Sequence, residues 1–367
     1  MDGTAGGLGS IGLKKQIFVK YAFVGDFYTI IGNVLKNDTP GKYMKKRIAL
    51  FTIGLFLSSA VLGTEHYPER PMTMLVPFGV GGDADLFAKN LSRHAQKYLN
   101  NQTIVLENRV GASGSLAAAA VSKAPADGYT LLIGRPGPNV ILPALDLKTP
   151  YRWNDFTVLG ILELDPMICA VKSDSPYKNI RELMAAIRKQ PGVIKYGAAG
   201  AGAANNLAVQ YLLSLSGLKA DAALALHFPG NPEINQAVMD GKVQFFCGVA
   251  AGLLPQIKSG AMRGLFTTAA GRLPELPQLH NATEVGLRDM GKMMAWTAVM
   301  GPPGLPKEVV ARWKDGLSDL AKDPAWIKET ERLGGQPALL AIKDPTQFLQ
   351  DQFTLYERII TMLGLQK

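Results

Sequence analysis

The sequence predicts an α/β protein built from two lobes. Short apolar segments of strand length alternate with longer amphipathic segments along most of the chain, which is the pattern of α/β architecture. Two strand-to-helix junctions, at residues 77–85 and 197–206, are rich in glycine and lie far apart in the sequence. Each junction can therefore head its own α/β lobe. With 367 residues, 47% of them hydrophobic, the chain is long enough to bury two cores.

The first 63 residues have a different character. Residues 44–63 read M-K-K-R-I-A-L-F-T-I-G-L-F-L-S-S-A-V-L-G, with a basic start, an apolar centre and a small-residue end. This is the pattern of a secretory signal peptide, and its apolar part is shorter than the ~20 residues that span a bilayer. We therefore predict export of a mature chain that begins near Thr64 or Glu65. Residues 1–43 are interpreted as a non-native upstream extension.

The charge distribution argues against a nucleic-acid partner. The formal net charge is +9, but residues 1–47 hold eight basic and three acidic side chains. Residues 48–367 are left with 31 basic and 27 acidic side chains and no run of Lys or Arg. The four histidines are scattered without the spacing of metal ligands, so neither a metal site nor a cofactor is predicted.

The periodicity predicts strands and helices in the following order. Strands are expected at 72–78, 103–107, 129–134, 157–162, 167–171, 194–198, 223–227, 243–247, 264–268 and 296–300. Helices are expected at 85–98, 115–123, 180–189, 207–214, 233–239, 253–259, 307–322, 325–333 and 345–363. Asp165 and Pro166 are predicted to separate two strands, and the strand at 296–300 is predicted to run antiparallel to the early ones.

The two glycine-rich junctions are the predicted ligand site. A strand, a glycine-rich turn and a helix start place free backbone N–H groups at a helix N-terminus, where a carboxylate or phosphate can bind. The first junction lacks both G-x-G-x-x-G and G-K-[ST], so a nucleotide is not indicated. Facing each other across a cleft, the two junctions would hold one small anion from both sides. The alternative is two unrelated βα turns.

Several motifs occur in the order found in one known family. Y-P-E-R-P-M-T-M-L-V-P-F-G-V-G-G-D-A-D, V-L-E-N-R-V-G-A-S-G-S, A-P-A-D-G-Y-T-L-L-I-G and K-Y-G-A-A-G-A-G follow one another from residue 67 to residue 202. In these motifs the chain resembles the receptors of tripartite tricarboxylate transporters, the Bug family, over about residues 65–367. The resemblance implies a type II periplasmic binding protein, with two α/β lobes and a ligand cleft between them. It implies lobe one at 65–165 plus 289–367 and lobe two at 166–288.

The same resemblance implies a function and a set of site residues. Such a receptor is a periplasmic monomer that captures a small organic anion, usually a carboxylate, and delivers it to membrane permease subunits without chemistry. Carried onto this chain, and with Arg135, Phe228 and Gly230 added, the expected ligand-binding residues are Phe78, Gly79, Val80, Gly81, Gly82, Asp85, Arg135, Ala199, Gly200, Ala201, Gly202, Ala203, Asn205, Asn206, Phe228 and Gly230. Asp85 would repel an anion directly, so it is expected to cap the helix start or order a water.

The chain departs from the family pattern at positions that would touch the ligand. Asn205 and Asn206 stand where the family commonly has hydroxyl residues, and Arg135 in G-R-P-G-P stands where it has small ones. An arginine facing the cleft would clamp a carboxylate through two hydrogen bonds, whereas the alternative is an arginine that faces solvent. The ligand is predicted to be a mono- or dicarboxylate. Phe78 and Phe228 are predicted to line an apolar wall, which would fit an aromatic or branched acid.

Three questions stay open at the level of sequence. Cys169 and Cys247 are far apart and lie in apolar segments, so they form a disulfide or remain as buried thiols. A receptor that presents its solute to a histidine kinase would have the same sequence features as one that serves a permease. A secreted hydrolase is a minor alternative, because Ser113 lacks the G-x-S-x-G frame and no histidine stands in a triad context.

Overall fold

The computed structural model describes residues 67–366, so the predicted upstream extension and signal peptide lie outside the described residues. Within that range, none of the helices has the length and apolar character needed to cross a membrane. The strands are β1 (Met72–Val76), β2 (Ile104–Asn108), β3 (Thr130–Gly134), β4 (Thr157–Lys172), β5 (Lys195–Ala198), β6 (Leu224–His227), β7 (Phe245–Val249), β8 (Met262–Thr267), β9 (Met294–Gly301) and β10 (Gln336–Pro337). The helices are α1 (Asp83–Ala95), α2 (Ser115–Ser122), α3 (Leu142–Leu145), α4 (Ile180–Lys189), α5 (Ala204–Leu215), α6 (Asn231–Met239), α7 (Ala250–Lys258), α8 (Lys307–Leu320), α9 (Pro324–Arg332) and α10 (Pro345–Met362).

The first lobe is built on β2, β1, β3, β9 and the first half of β4, in that spatial order. β1 runs parallel to both β2 and β3, as expected for strands that are connected through helices. β9 runs antiparallel to β3 and to β4, which confirms the predicted direction of this strand. Trp313 and Trp326, from α8 and α9, are buried against this sheet.

The second lobe uses the other half of β4. Met167 to Val171 pairs antiparallel with β7, and Ile168 to Lys172 pairs antiparallel with β8. β7 and β6 each pair with β5 in the parallel direction, so this lobe also contains a parallel unit. The two-lobed α/β fold is therefore present as predicted, whereas the chain limits given above for each lobe stay a prediction.

β4 is continuous, and the prediction of two separate strands at 157–162 and 167–171 is wrong. The sixteen-residue strand passes through Asp165 and Pro166, with Pro166 opposite Met294 at the end of β9. Beyond this point the pairing of β4 changes from β9 to β7 and β8. Proline has no N–H to give to a ladder, and it is tolerated here because one set of partners ends at this residue.

The two cysteines lie opposite each other on neighbouring strands. Cys169 on β4 is the cross-strand partner of Cys247 on β7, and the two form a disulfide that joins residues 78 apart in sequence. Both are buried in the core of the second lobe. Of the two states that the sequence left open, the structure has the disulfide.

Candidate functional site

Three helices begin at one cleft between the lobes. They are α1, α5 and α6, and all three start earlier than predicted, at Asp83 rather than 85, at Ala204 rather than 207, and at Asn231 rather than 233. Each start follows a residue with extended backbone, so the first turn begins directly after the glycine-rich segment. The first N–H groups of a helix have no intrahelical acceptor, and the helix dipole places partial positive charge there.

The cleft holds a cavity of about 40 Å³, with walls from both lobes. Its lining is mostly apolar or backbone, with Arg135, Asp83, Asn205 and Asn231 as the polar side chains. The complete lining is Phe78, Gly82, Asp83, Arg135, Pro136, Gly137, Met167, Ala199, Ala203, Ala204, Asn205, Gly230, Asn231, Val249 and Ala295. A concave, mainly apolar site with few directed polar groups is typical of small-molecule binding.

The residues predicted from sequence fall into three groups. Phe78, Gly82, Arg135, Ala199, Ala203, Asn205 and Gly230 line this inner cavity. Gly200 and Phe228 line a second cavity of about 320 Å³, which shares Phe78 and Ala199 with the first. The linings of these two cavities, as formed by the described residues, do not include Gly79, Val80, Gly81, Asp85, Ala201, Gly202 or Asn206.

Asp85 shapes the first glycine turn. Its Oδ2 accepts the Gly81 N–H at 2.8 Å and a bond from Lys89 Nζ at 2.6 Å, and its Oδ1 accepts from Asn108 Nδ2 at 3.2 Å. Asn108 Nδ2 also donates to the Phe78 carbonyl at 2.9 Å. Burial works against the ionised form, but these donors together hold the pKa of Asp85 below its usual value. The carboxylate is thus used in folding the turn, whereas α1 has no side-chain cap, so the expected capping of the helix start by Asp85 is not observed.

Two asparagines shape the second turn in the same way. Asn206 accepts from Tyr196 Oη at 2.8 Å and donates to the Ala201 carbonyl at 2.8 Å. Asn205 Oδ1 accepts the Ala199 N–H at 3.1 Å. The oxygen of the Asn205 carboxamide is therefore occupied, which leaves its Nδ2 group as a donor in the cleft that this residue lines.

Arg135 is buried at the end of β3, so the alternative of an arginine that faces solvent is wrong. Its Nη1 donates to Asp165 Oδ2 at 3.1 Å and to the Thr297 hydroxyl, and its Nη2 is paired with Asp83 Oδ2. Asp83 Oδ1 in turn accepts from Asn231 Nδ2 of the other lobe at 2.9 Å. The predicted carboxylate clamp is thus already engaged by two carboxylates of the protein.

Glu163 and Asp165 add further acid beneath Arg135. On β4, Glu163 lies four residues and Asp165 two residues before Met167, which lines the cavity. Both acidic side chains are buried. Burial, together with repulsion by Asp165, raises the pKa of Glu163 well above its usual range. Burial also raises the pKa of Asp165 to about 7, because it outweighs the opposing effect of Arg135. Oε1 of Glu163 and Oδ1 of Asp165 have no hydrogen-bond partner among the described residues.

We expect the stability of the protein to fall as the pH rises from about 5 to about 7. The folded state holds a proton on Asp165 in this range that the unfolded chain, with an ordinary aspartate pKa of 3.8, has already released. More protons are then bound by the folded than by the unfolded state, so the free energy of unfolding decreases, on the order of 1 kcal/mol per pH unit. Glu163 acts in the same direction.

Urea unfolding at pH 5, 6 and 7 measures this slope. Asp165→Asn keeps the shape of the side chain and removes its titration, so the variant should show a clearly flatter profile. The exposed Asp174, on the loop after β4, provides the control Asp174→Asn, which should keep the slope of the unmodified protein. An equal slope in Asp165→Asn would mean that Asp165 is ionised throughout this range.

Sequence reasoning did not place Asp83 and Asn231 in the site. The sequence does indicate a helix start at Asn231. P-G-N-P follows a predicted strand and precedes an amphipathic segment, with proline near the helix start. No local pattern shows that Asp83 and Asn231 meet across the cleft, since 148 positions separate them.

The comparison with known proteins identifies the family. The sequence profile described as "Tripartite tricarboxylate transporter family receptor" matches residues 87–365. The chain belongs to this family. The receptor is 28% identical over 323 residues to a UPF0065 protein of Bordetella pertussis, with 88% of this chain and 97% of that protein covered.

Solved structures agree with the fold of the receptor. It resembles the periplasmic binding protein BugD with a TM-score of 0.76 and 27% identity, over 82% of this chain and 100% of BugD. It also resembles MatC of Rhodopseudomonas palustris, which was solved with bound malate, with a TM-score of 0.75 and 26% identity over 80% of this chain and 100% of MatC. These relationships confirm the resemblance that the motifs indicated.

Proposed function

We propose that this receptor captures a small carboxylate in the periplasm and delivers it, unchanged, to the permease of a tripartite tricarboxylate transporter. The observation that carries the proposal is the start of three helices, from both lobes, at one cavity. Such helix starts bind carboxylates through free N–H groups without any catalytic residue. The malate bound to MatC supports a carboxylate ligand here.

The carboxylate is proposed to lie against the start of α5. The first N–H groups of this helix and Nδ2 of Asn205 are donors at the cavity. Arg135 also remains in the proposed site, because three of its five donors serve Asp165, Thr297 and Asp83 and two are left for a ligand. Phe78, Met167 and Val249 supply the apolar walls.

Titration calorimetry of the exported chain with a panel of mono- and dicarboxylates tests the proposal, with neutral sugars as controls. We expect a carboxylate to bind and to be recovered chemically unchanged. Asn205→Asp retains an acceptor for the Ala199 N–H but puts negative charge in place of the Nδ2 donor, so affinity for the carboxylate should drop at least about tenfold. Binding of neutral sugars alone would contradict the proposal.

Asn179→Asp is the matched control for this substitution. Asn179 caps α4 in the same lobe, and its side chain accepts the Glu182 N–H, which an aspartate also does. The change adds the same charge outside the cavity, and affinity should stay as in the unmodified receptor. A loss of affinity equal to that of Asn205→Asp would show that general charge, rather than contact with the ligand, weakens binding.

Delivery to a permease needs a cellular measurement. In cells that lack the receptor gene, uptake of the labelled carboxylate should fail and should return when the gene is restored. A receptor that presents its solute to a histidine kinase would leave uptake unchanged and abolish a transcriptional response to the same carboxylate.

A further inference from the structure

The polar groups of the inner cavity form two sets, which we call the donor end and the acceptor end. At the donor end stand Asn205 Nδ2 and the first N–H groups of α5. At the acceptor end stand Asp83 and Asn231, which meet from opposite lobes. Asn231 donates its Nδ2 to Asp83, so the Oδ1 of the same carboxamide must face away from Asp83 as an acceptor. That Oδ1 has no hydrogen-bond partner among the described residues, and Asn231 is 6% exposed.

The charges at the acceptor end do not suit a second carboxylate. Arg135 is the single basic residue of the described cavity lining, and it is shared between Asp83 and Asp165. Arg135 thus stands as one basic group beside three acidic side chains, those of Asp83, Asp165 and Glu163. Asp83 is the member of this cluster that lines the cavity as a carboxylate, with 13% of its side chain exposed.

We infer that the ligand carries an amino group as well as a carboxylate, and that its ammonium group binds to Asp83 and Asn231. A carboxylate has about four acceptor positions, and Asp83 uses two of them for Arg135 and Asn231. The ammonium group of the ligand, with three donors, can bond Asp83 and the Asn231 Oδ1 together. The carboxylate of the same molecule then reaches the donors of Asn205 and α5. This inference rests on the proposed function and narrows its ligand class to small amino carboxylates.

Matched pairs of ligands test the inference. Calorimetry compares alanine with propionate, valine with 3-methylbutanoate, and 4-aminobutyrate with butyrate, at a single pH near 7. In at least one pair we expect the amino member to bind at least about ten times more tightly, because a hydrogen bond to a charged group is at stake. Equal or tighter binding of the acid that lacks the amino group, in all pairs that bind, would overturn the inference and leave the proposed function intact.

Variants at the acceptor end make the test specific. Asp83→Asn removes the charge, and Asn231→Ala removes the second acceptor without changing charge; each should reduce the preference for the amino member severalfold or more. Circular dichroism checks that both variants fold. If Asp83→Asn does not fold, Asn231→Ala still tests the assignment. Asp127→Asn, at an exposed ion pair with Arg70 in the same lobe, should keep the preference.

The outcomes separate the two claims. A preference that survives both acceptor variants would overturn the assignment of Asp83 and Asn231. If neutral solutes bind and carboxylates do not, the proposed function fails, and the inference fails with it.

Discussion

Replacing Arg135 by methionine is expected to lower the free energy of unfolding by about 3–5 kcal/mol, the usual cost of leaving a buried charge without its partner. Methionine matches the aliphatic stem of arginine but not its guanidinium group, so some loss of packing adds to the change. The loss of stability arises mainly because Asp83 and Asp165 lose their ion pairs, and Asp165 is fully buried. Urea unfolding at pH 8, above the pKa of about 7 of Asp165, measures the change.

Two further proteins show whether charge is the cause. In the Arg135→Met background, Asp83→Asn together with Asp165→Asn removes the uncompensated carboxylates and should restore most of the lost stability. Arg272→Met breaks the exposed pair with Glu284, and its effect should be far smaller because solvent screens that pair. A small effect of Arg135→Met by itself would mean that Asp165 is still protonated at pH 8.

Removing the disulfide is expected to have an effect of similar size. Cys169→Ala with Cys247→Ala releases a link across 78 residues, and the loss of this constraint on the unfolded chain corresponds to about 4 kcal/mol. Both side chains are buried, so the two alanines also leave small spaces in the core of the second lobe. Thermal and urea unfolding of the oxidised protein and the double variant measure the difference.

A reducing agent provides the control for the disulfide. Dithiothreitol should lower the unfolding midpoint of the unmodified protein and leave that of the double variant where it is. The buried bond is expected to be reduced mainly when the second lobe opens, so reduction should be slow under native conditions. Equal stability of the unmodified protein and the double variant would show that the strand pairing of β4 with β7 alone sets the stability of this lobe.

Most of the framework could be predicted from sequence, because it depends on local patterns. The apolar periodicity of Ile180–Lys189 predicted a helix that has the same limits in the structure, and the antiparallel direction of β9 was also foreseen. The predicted break at Asp165 and Pro166 was wrong, because these residues are normally strand breakers. Here β4 accommodates them where its pairing passes from one lobe to the other.

The candidate site could be predicted only in part, for a related reason. Glycine-rich junctions indicate helix starts, so Gly82, Ala203 and Asn205 could be named. Arg135 could also be predicted as a charged residue of the cleft, but its hydrogen-bond partners could not be predicted. Asp165 and Thr297 reach it through the sheet pairing of β4 and β9 rather than through any spacing in the sequence. Long-range contacts of this kind set the charge of the cleft.

The continuity of β4 limits how the receptor can open. A single strand that belongs to both sheets cannot slide apart, so the lobes can separate only by bending and twisting around its middle, near Pro166. Points near this pivot, such as Asp165 and Ala295, then travel little, whereas the rim of the cleft travels far. The acid cluster lies near Pro166 on β4, whereas Val80, in the first glycine turn, is 67% exposed. Opening and closing of the cleft should therefore change the surroundings of its outer edge much more than the electrostatic environment of Asp165 near the pivot.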